Sequence, residues 1–152
     1  MALVYNNQGD YLEYYEKALA IRLEALGANH PDVAAIYNNM VGVYDSQGDY
    51  AKALELYVKA LAIWLEALGA NHPDVATTYN NMASVYDNQG EYAKALEYYE
   101  KALAIRLEAL GANHPSVATT YNNMAGVYNI QGDYAKALEY HEKALAIRLE
   151  AL

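Results

Sequence analysis

The sequence predicts an all-α fold, a right-handed superhelix in which antiparallel helix pairs stack side by side as a solenoid. A unit of 42 residues recurs three times, with Pro and Gly at fixed positions and apolar residues at helical spacing between them. Residues 27–68 and 69–110 are identical at 33 of 42 positions, and residues 69–110 and 111–152 at 36 of 42. Residues 1–26 are a truncated copy, so we expect a single repeat array over residues 1–152.

The first helix of each unit begins at the motif Asn-His-Pro. Pro73 suits the first helical position because its missing N–H would have no partner there. An apolar stripe at spacings of 4, 3 and 4 follows, formed by Val75, Tyr79, Met82 and Tyr86. Gly90 then ends the helix, since glycine readily adopts the left-handed conformation found there.

The second helix of each unit runs from Glu91 to about Leu110 in the middle repeat. One side of it carries Tyr92, Leu96, Tyr99, Leu103 and Leu110. The small residues Ala95 and Ala102 are expected to let two helix backbones approach closely. Neither helix can bury its stripe alone, so each pair is expected to depend on stacking against the next.

The truncated copy lacks three residues that the other units have after Gly-Asp-Tyr or Gly-Glu-Tyr. The deletion brings Tyr5 and Leu12 seven residues apart, nearly in phase on one helix. One hypothesis is that residues 2–26 form one continuous helix, with Gly9 inside it at a cost of about 1 kcal/mol. The alternative is the helix–turn–helix of the complete units.

Composition argues against several classes of partner. The net charge is −9 and the Lys and Arg residues are scattered singly, whereas nucleic acids and anionic membranes require a basic surface. The chain has no cysteine and no apolar run of membrane-spanning length. Its first residues lack the basic and apolar regions of a signal peptide, so we do not expect one. We therefore expect a cytoplasmic protein that binds neither nucleic acid nor membrane.

The repeated histidines His30, His72 and His114 raise the question of a metal site. Equivalent residues in stacked repeats are expected to lie about 10 Å or more apart, whereas zinc requires its ligands around one centre. A role at the helix start is the stronger interpretation, and no metal site is predicted. No nucleophile–base pair or phosphate-binding loop is visible either, so we expect neither an enzyme nor a cofactor.

The stretch YNNMASVYDNQGEYAKALEYYEKAL resembles the tetratricopeptide repeat (TPR) family in the order of its aromatic, small and Gly-Glu-Tyr positions. The common period of that family is 34 residues. The longer unit here, with the linker LGANHPDVATTYNN, is most similar to the repeats of kinesin light chains. The family binds many unrelated partners, so the resemblance implies a fold more specifically than a ligand.

In this family the first helices line a concave groove that holds peptides. The resemblance implies a peptide-binding set of Asn38, Asn39, Thr77, Asn80, Asn81, Ser84, Thr119, Asn122 and Asn123. A carboxamide offers donors and an acceptor, so such side chains can hold an extended peptide backbone. Ala35, Thr77 and Thr119 stand where family members that bind acidic tails carry a cation, which disfavours an acidic ligand.

The function expected from the sequence is therefore a protein-interaction scaffold that binds an extended peptide in an Asn-lined groove. The alternative is a self-associating array, swapped or stacked end to end, without a specific cargo. For that homo-oligomer the expected contact residues are Met1, Tyr5, Leu12, Leu138, Leu145 and Leu149. Whether the chain is a natural fragment or an engineered protein stays open, since the high identity between repeats fits either recent duplication or deliberate consensus design.

Overall fold

The computed structural model describes residues 8–151, which form seven α-helices and no strand. The chain divides into two compact units, residues 1–67 and residues 68–152. No helix in the described part is both long enough and apolar enough to cross a membrane. The all-α class expected from the helical spacing is confirmed.

The first unit contains α1 (Gln8–Leu26), α2 (Pro31–Ser46) and nearly all of α3 (Tyr50–Leu68). Val33 and Ala34 of α2 are fully buried against Ala60 and Ile63 of α3. Leucines of α1 and the ring of Trp64 pack against the same cluster. The first helix of one repeat is thus enclosed by the second helices of its own and the preceding repeat.

The second unit contains α4 (Pro73–Asn88), α5 (Tyr92–Leu110), α6 (Pro115–Ile130) and α7 (Tyr134–Glu150). Short turns join α4 to α5 and α6 to α7, so each pair is antiparallel, and α5 also packs against α6. Ala95 and Ala102 are fully buried, which agrees with the expected close approach of helices at these positions. The core around Ala95 includes Tyr99 of α5 and Met124 of α6.

A histidine caps the start of each first helix. Nδ1 of His30, His72 and His114 accepts a hydrogen bond from the backbone N–H two residues later, at 3.1, 3.1 and 3.0 Å. Such a bond satisfies one of the backbone donors that a helix start leaves without a partner. The proline between the histidine and that donor occupies the first helical turn, as the sequence predicts.

Glycine ends each first helix by adopting positive φ. At the end of α4, Gly90 has φ +80°, and the following Glu91 N–H donates to the carbonyl oxygen of Tyr86 at 2.9 Å. This six-residue closure satisfies a carbonyl that the helix end would leave free. The turn sets the reversal from α4 into α5.

The truncated N-terminal repeat differs from the others at this turn. Helix α1 already includes Gly9 and Asp10 and continues to Leu26, whereas Gly48, Gly90 and Gly132 have φ of +75°, +80° and +82° between two helices. Residues 2–7 of the hypothesised continuous helix, with Tyr5 among them, lie outside the described residues, as does Met1. The continuous helix over residues 2–26 stays a prediction.

Candidate peptide-binding face

One stripe of each first helix is accessible, and it carries six of the nine residues predicted to bind peptide. In α4 these are Thr77 and Ser84, which are exposed, and Asn81, which is half-buried. Positions i, i+4 and i+7 share a helix face. In α6 the same stripe presents Thr119 and Asn123, and in α2 it presents Asn39. We call the α4 and α6 stripes of the second unit the first-helix face.

The threonines of this face are already engaged by their own helices. The hydroxyl of Thr77 donates to the carbonyl oxygen of Pro73 at 3.1 Å, and that of Thr119 donates to Pro115 at 3.2 Å. The hydroxyl proton is therefore used internally, and the oxygen lone pairs remain as acceptors. Towards a ligand, these side chains offer acceptors, while Asn81 and Asn123 offer both donors and acceptors.

The other predicted asparagines are Asn38, Asn80 and Asn122. Each directly precedes an asparagine of the accessible stripe in the sequence and therefore lies about 100° around the helix from it. Oδ1 of Asn80 lies 3.5 Å from the hydroxyl of Thr120 in α6. Oδ1 of Asn38 is buried without a hydrogen-bond donor among the described residues. Asn38 and Asn80 are therefore directed into the packing between helices, whereas Asn39, Asn81 and Asn123 belong to the accessible stripe.

Asn122 joins two side chains of α7, those of Arg148 and His141. With its amide oriented to satisfy both ends, Oδ1 accepts from Nη1 and Nη2 of Arg148 at 2.9 Å, and Nδ2 donates to Nδ1 of His141 at 3.1 Å. His141, which the sequence aligns with Tyr99, is exposed rather than part of the core. Asn122 is thus engaged by side chains of its own unit.

Arg106 is a buried cation that no sequence motif singles out. It is 7% exposed, and its Nη1 donates to the hydroxyl of Thr120 at 2.7 Å and to the carbonyl oxygen of Ser116 at 3.1 Å. Burial lowers the pKa of this guanidinium. The contact joins residues 14 apart on different helices, and no sequence spacing rule predicts it.

Beneath the first-helix face, Tyr99 of α5 reaches α4. It is 3% exposed, and its pKa is raised to about 12, chiefly by burial and then by the carboxylate of Asp87, while a hydrogen bond with Ser84 acts in the opposite direction. Burial also raises the pKa of Asp87, whose Oδ1 has no hydrogen-bond donor among the described residues. In the first unit, burial and Asp45 raise the pKa of Tyr57 to about 12 in the same way.

Charge is segregated between the two kinds of helix. All ten Lys and Arg residues lie in α1, α3, α5 and α7, whereas the charged residues of α2 and α4 are all aspartates and α6 has none. Lysines of α3, α5 and α7 lie over tyrosine rings, namely Lys59, Lys94, Lys101, Lys136 and Lys143. Nζ of Lys101, for example, is 4.7 Å from the ring centre of Tyr98. The first helices themselves therefore contribute only neutral or acidic side chains to the first-helix face.

The first unit has a cleft of about 310 Å³ between α1 and α2. Tyr14, Arg22, Asp32 and Asn39 are among the residues that line it. Nη1 of Arg22 lies 3.6 Å from Oδ2 of Asp32, and both side chains are about half exposed. Of the predicted peptide-binding residues, only Asn39 lines this cleft.

The histidines predicted to start helices are caps rather than ligands of one centre. Across residues 8–151, no three His, Asp or Glu side chains converge in a way that could hold a metal ion. The carboxylate nearest to His72 is Asp74, with Nδ1 and Oδ2 3.8 Å apart. The geometry at each helix start is that of a cap with at most one adjacent acid.

The family model for the tetratricopeptide repeat matches three overlapping segments, residues 1–66, 32–108 and 74–150. Among solved structures, BtubC (BKLC) from P. vanneervenii is 32% identical, with a TM-score of 0.84 over 95% of this chain and 57% of its own. The nearly identical TPR-like repeats of a candidate kinesin light chain from Podosopora anserina are 27% identical, with a TM-score of 0.78 over 95% of this chain and 69% of theirs.

The N-terminal domain of STI-1 from C. elegans is 23% identical, with a TM-score of 0.62 over 77% of this chain and 85% of that domain, and it shares the fold. The chain thus spans little more than half the length of BtubC. A comparison with curated protein sequences gives no match.

Proposed function

Because the chain belongs to the tetratricopeptide repeat family, whose members are generally interaction scaffolds rather than enzymes, we propose that it binds an extended peptide on the first-helix face. The observation that carries the proposal is the accessible polar stripe of α4, which recurs in α6. Thr77 and Asn81 correspond to Thr119 and Asn123, and in each helix the two residues share one face.

The chemistry of this face suits a peptide backbone. Asn81 and Asn123 each supply N–H donors and a carbonyl acceptor, which match the C=O and N–H groups of an extended chain. The side chains come from two helices of one folded unit, so little ordering of the protein is needed on binding. Recognition through the backbone would tolerate a range of ligand sequences.

Charge selects among such ligands. Aspartates are the only charged residues of α4, α6 has no charged residue, and Asp87 lies beside the face. Arg106 is buried and bonded to Thr120, so it does not supply the exposed cation that an acidic tail requires. We propose that neutral or basic peptides bind better than acidic ones.

The test is a fluorescence titration with unstructured peptides of one length whose side chains are neutral, basic or acidic. Double substitution of Asn81 and Asn123 by Ala should weaken binding of the neutral peptide about tenfold or more. The matched control replaces Asn71 and Asn113, which lie in loops between repeats and are exposed. Equal affinity of the two double variants would refute a role for the face.

Self-association is the second candidate, and exposed leucines of α7 favour it. Leu138, Leu145 and Leu149 are exposed by 60, 55 and 60%, whereas Leu12 in α1 is half-buried. Exposed apolar side chains on one helix face commonly mark an interaction surface. Light scattering across a concentration series tests it, and a constant monomer mass at the highest concentration rejects it.

A further inference from the structure

The outer face of α7 is a mixed apolar and cationic surface that the first-helix face does not include. Leu138, Leu145 and Leu149 are exposed there by 60, 55 and 60%. His141 and Arg148 fall on the same side of the helix, at spacings of three and ten residues from Leu138. We call these five residues the α7 face.

Helix α5 carries an equivalent surface, and there the structure shows what covers it. Leu103 and Leu107, the counterparts of Leu145 and Leu149, pack against a buried cluster that includes Val117 and Ala118 of α6. Nearer the start of α5, Leu96, the counterpart of Leu138, packs against the cluster that contains Met124 and Val127 of α6. The occupant of this kind of surface within the second unit is thus a first-type helix, one with the pattern of α4 and α6.

The arginine of the surface binds the start of that helix. Nη1 of Arg106 donates to the carbonyl oxygen of Ser116 in the first turn of α6. The counterpart in the first unit, Arg22, forms an ion pair of 3.6 Å with Asp32 in the first turn of α2. In both units this arginine therefore contacts the first turn of the next first-type helix.

Arg148 is the counterpart on α7, and it is exposed. Its guanidinium is held from one side by Oδ1 of Asn122 at 2.9 Å, which limits its orientation while leaving it accessible. Five donor N–H groups in one plane allow a guanidinium to bind Asn122 and a carboxylate together. The α7 face thus combines a leucine surface with a positioned cation.

We propose that the α7 face binds an amphipathic helix of the first type. Such a helix has an aspartate in its first turn, followed by Val-Ala and then Tyr and Met on the same side. Its leucine contacts would match those of α6 on α5, and its aspartate would pair with Arg148 as Asp32 does with Arg22. This site is separate from the first-helix face and does not depend on the peptide-binding proposal.

The probe is a labelled peptide with the sequence of residues 69–89, which contains α4 with Asp74 in its first turn. Added to the intact chain, it should bind saturably in a fluorescence anisotropy titration, with an affinity limited by the ordering of the peptide. Leu145→Asp should weaken that binding about tenfold or more, because it places a charge in the centre of the leucine surface.

A double-mutant cycle tests the proposed ion pair between Arg148 and the aspartate of the bound helix. A peptide carrying Asp74→Asn should bind the unaltered chain about two- to fivefold more weakly, as expected for one partly exposed ion pair. The chain with Arg148→Gln should bind both peptides equally. A preference for aspartate that persists in Arg148→Gln would overturn the assignment of that residue.

Two controls separate this surface from others. Val58→Asp places the same charge at another exposed apolar residue, 55% exposed in α3, and should leave binding unchanged. Circular dichroism of each variant checks that the helices are intact. The α7 proposal is overturned if Leu145→Asp binds the peptide as well as the unaltered chain does. It is also overturned if only Asn81→Ala loses binding, a result that would place the peptide on the first-helix face.

Discussion

The hydroxyl of Thr120 in α6 lies 2.7 Å from Nη1 of Arg106 in α5, and this contact accompanies burial of the arginine to 7% exposure. In the first unit Ile36 occupies the position of Thr120, and Arg22, the counterpart of Arg106, pairs with Asp32 and is 52% exposed. The guanidinium is thus buried where the next first helix offers a hydroxyl, as Thr120 does to Arg106. It is exposed where an apolar residue stands at that position, as Ile36 does near Arg22.

Replacement of Thr120 by Val should destabilise the second unit by about 1–3 kcal/mol, because a buried charged donor loses its closest acceptor. Thr119→Val is the matched control, since its hydroxyl is exposed and bonds only within α6. Guanidinium unfolding monitored by circular dichroism gives both free energies. Equal losses for the two variants would show that the Arg106 contact contributes little.

His114→Ala should destabilise the protein by about 1 kcal/mol because it removes the acceptor that caps α6. His114→Asn should retain most of the stability, since asparagine is a preferred cap at this position. Thermal unfolding of the three proteins orders them. If the Ala and Asn variants unfold together, the 3.0 Å contact with Ser116 N–H does not stabilise the helix.

Asp87→Asn should stabilise the protein at neutral pH by about 0.5 kcal/mol, a small value because the carboxyl remains partly in solvent. Burial raises the pKa of Asp87 above 3.8, so the charged form is disfavoured in the folded state. The stability that comes from the protonated carboxyl of Asp87 is fully present below the pKa that Asp87 has in the unfolded state. It is lost as pH rises through the higher pKa of the folded state. Unfolding at pH 7 and at pH 3 therefore checks the sign: the advantage of Asn should disappear at pH 3.

Asn129 stands at the Asp87 position in the last repeat, where His141 replaces Tyr99. The substitution Asn129→Asp is the matched reverse change and, with His141 exposed, should alter stability less than Asp87→Asn. A larger effect at position 129 would contradict burial as the cause at Asp87.

Ionisation of Tyr99 should limit stability at alkaline pH. Its folded pKa of about 12 exceeds the unfolded value of about 10. The unfolded state therefore loses the proton first, and stability that is intact below pH 10 declines as pH rises through 12. Tyrosinate absorbance should show a late step that Tyr99→Phe diminishes, whereas Tyr134→Phe, at an exposed ring, should leave that step in place.

Lys101 should contribute more to stability than its counterpart Lys59. Nζ of Lys101 lies 4.7 Å from the ring centre of Tyr98 and 5.6 Å from that of Tyr79, whereas Nζ of Lys59 lies 5.7 Å from Tyr37. Lys→Met keeps the aliphatic stem and removes the charge, so the difference between the two variants isolates the ring contacts. We expect a difference of about 0.5–1 kcal/mol in the free energy of unfolding.

The helical elements and their order followed from local chemistry in the sequence. Pro73 and Gly90 mark the two ends of α4, and the apolar spacing between them requires one buried face. The same features recur every 42 residues, so the helix pairs and the family were both predictable. The histidine at each helix start was also correctly placed by its neighbouring proline.

The candidate site was only partly predictable, because adjacent residues on a helix point in different directions. Asn80 and Asn81 look alike in the sequence, yet Asn80 approaches Thr120 in the next first helix while Asn81 lies on the accessible stripe. Both are half-buried, and which of the two contacts the next first helix depends on how α4, α5 and α6 pack together.

The sequence by itself determined the helix pairs and the 42-residue repeat, and it placed the starts and ends of the first helices, since these depend on residues within about one turn of each other. Only the tertiary structure decided which polar side chains meet across helices, as Arg106 and Thr120 do, and which counterpart, such as Arg148, remains exposed. The physical reason is that burial and hydrogen bonding of a repeated residue depend on the helix packed against it, and nearly identical repeats have different neighbours.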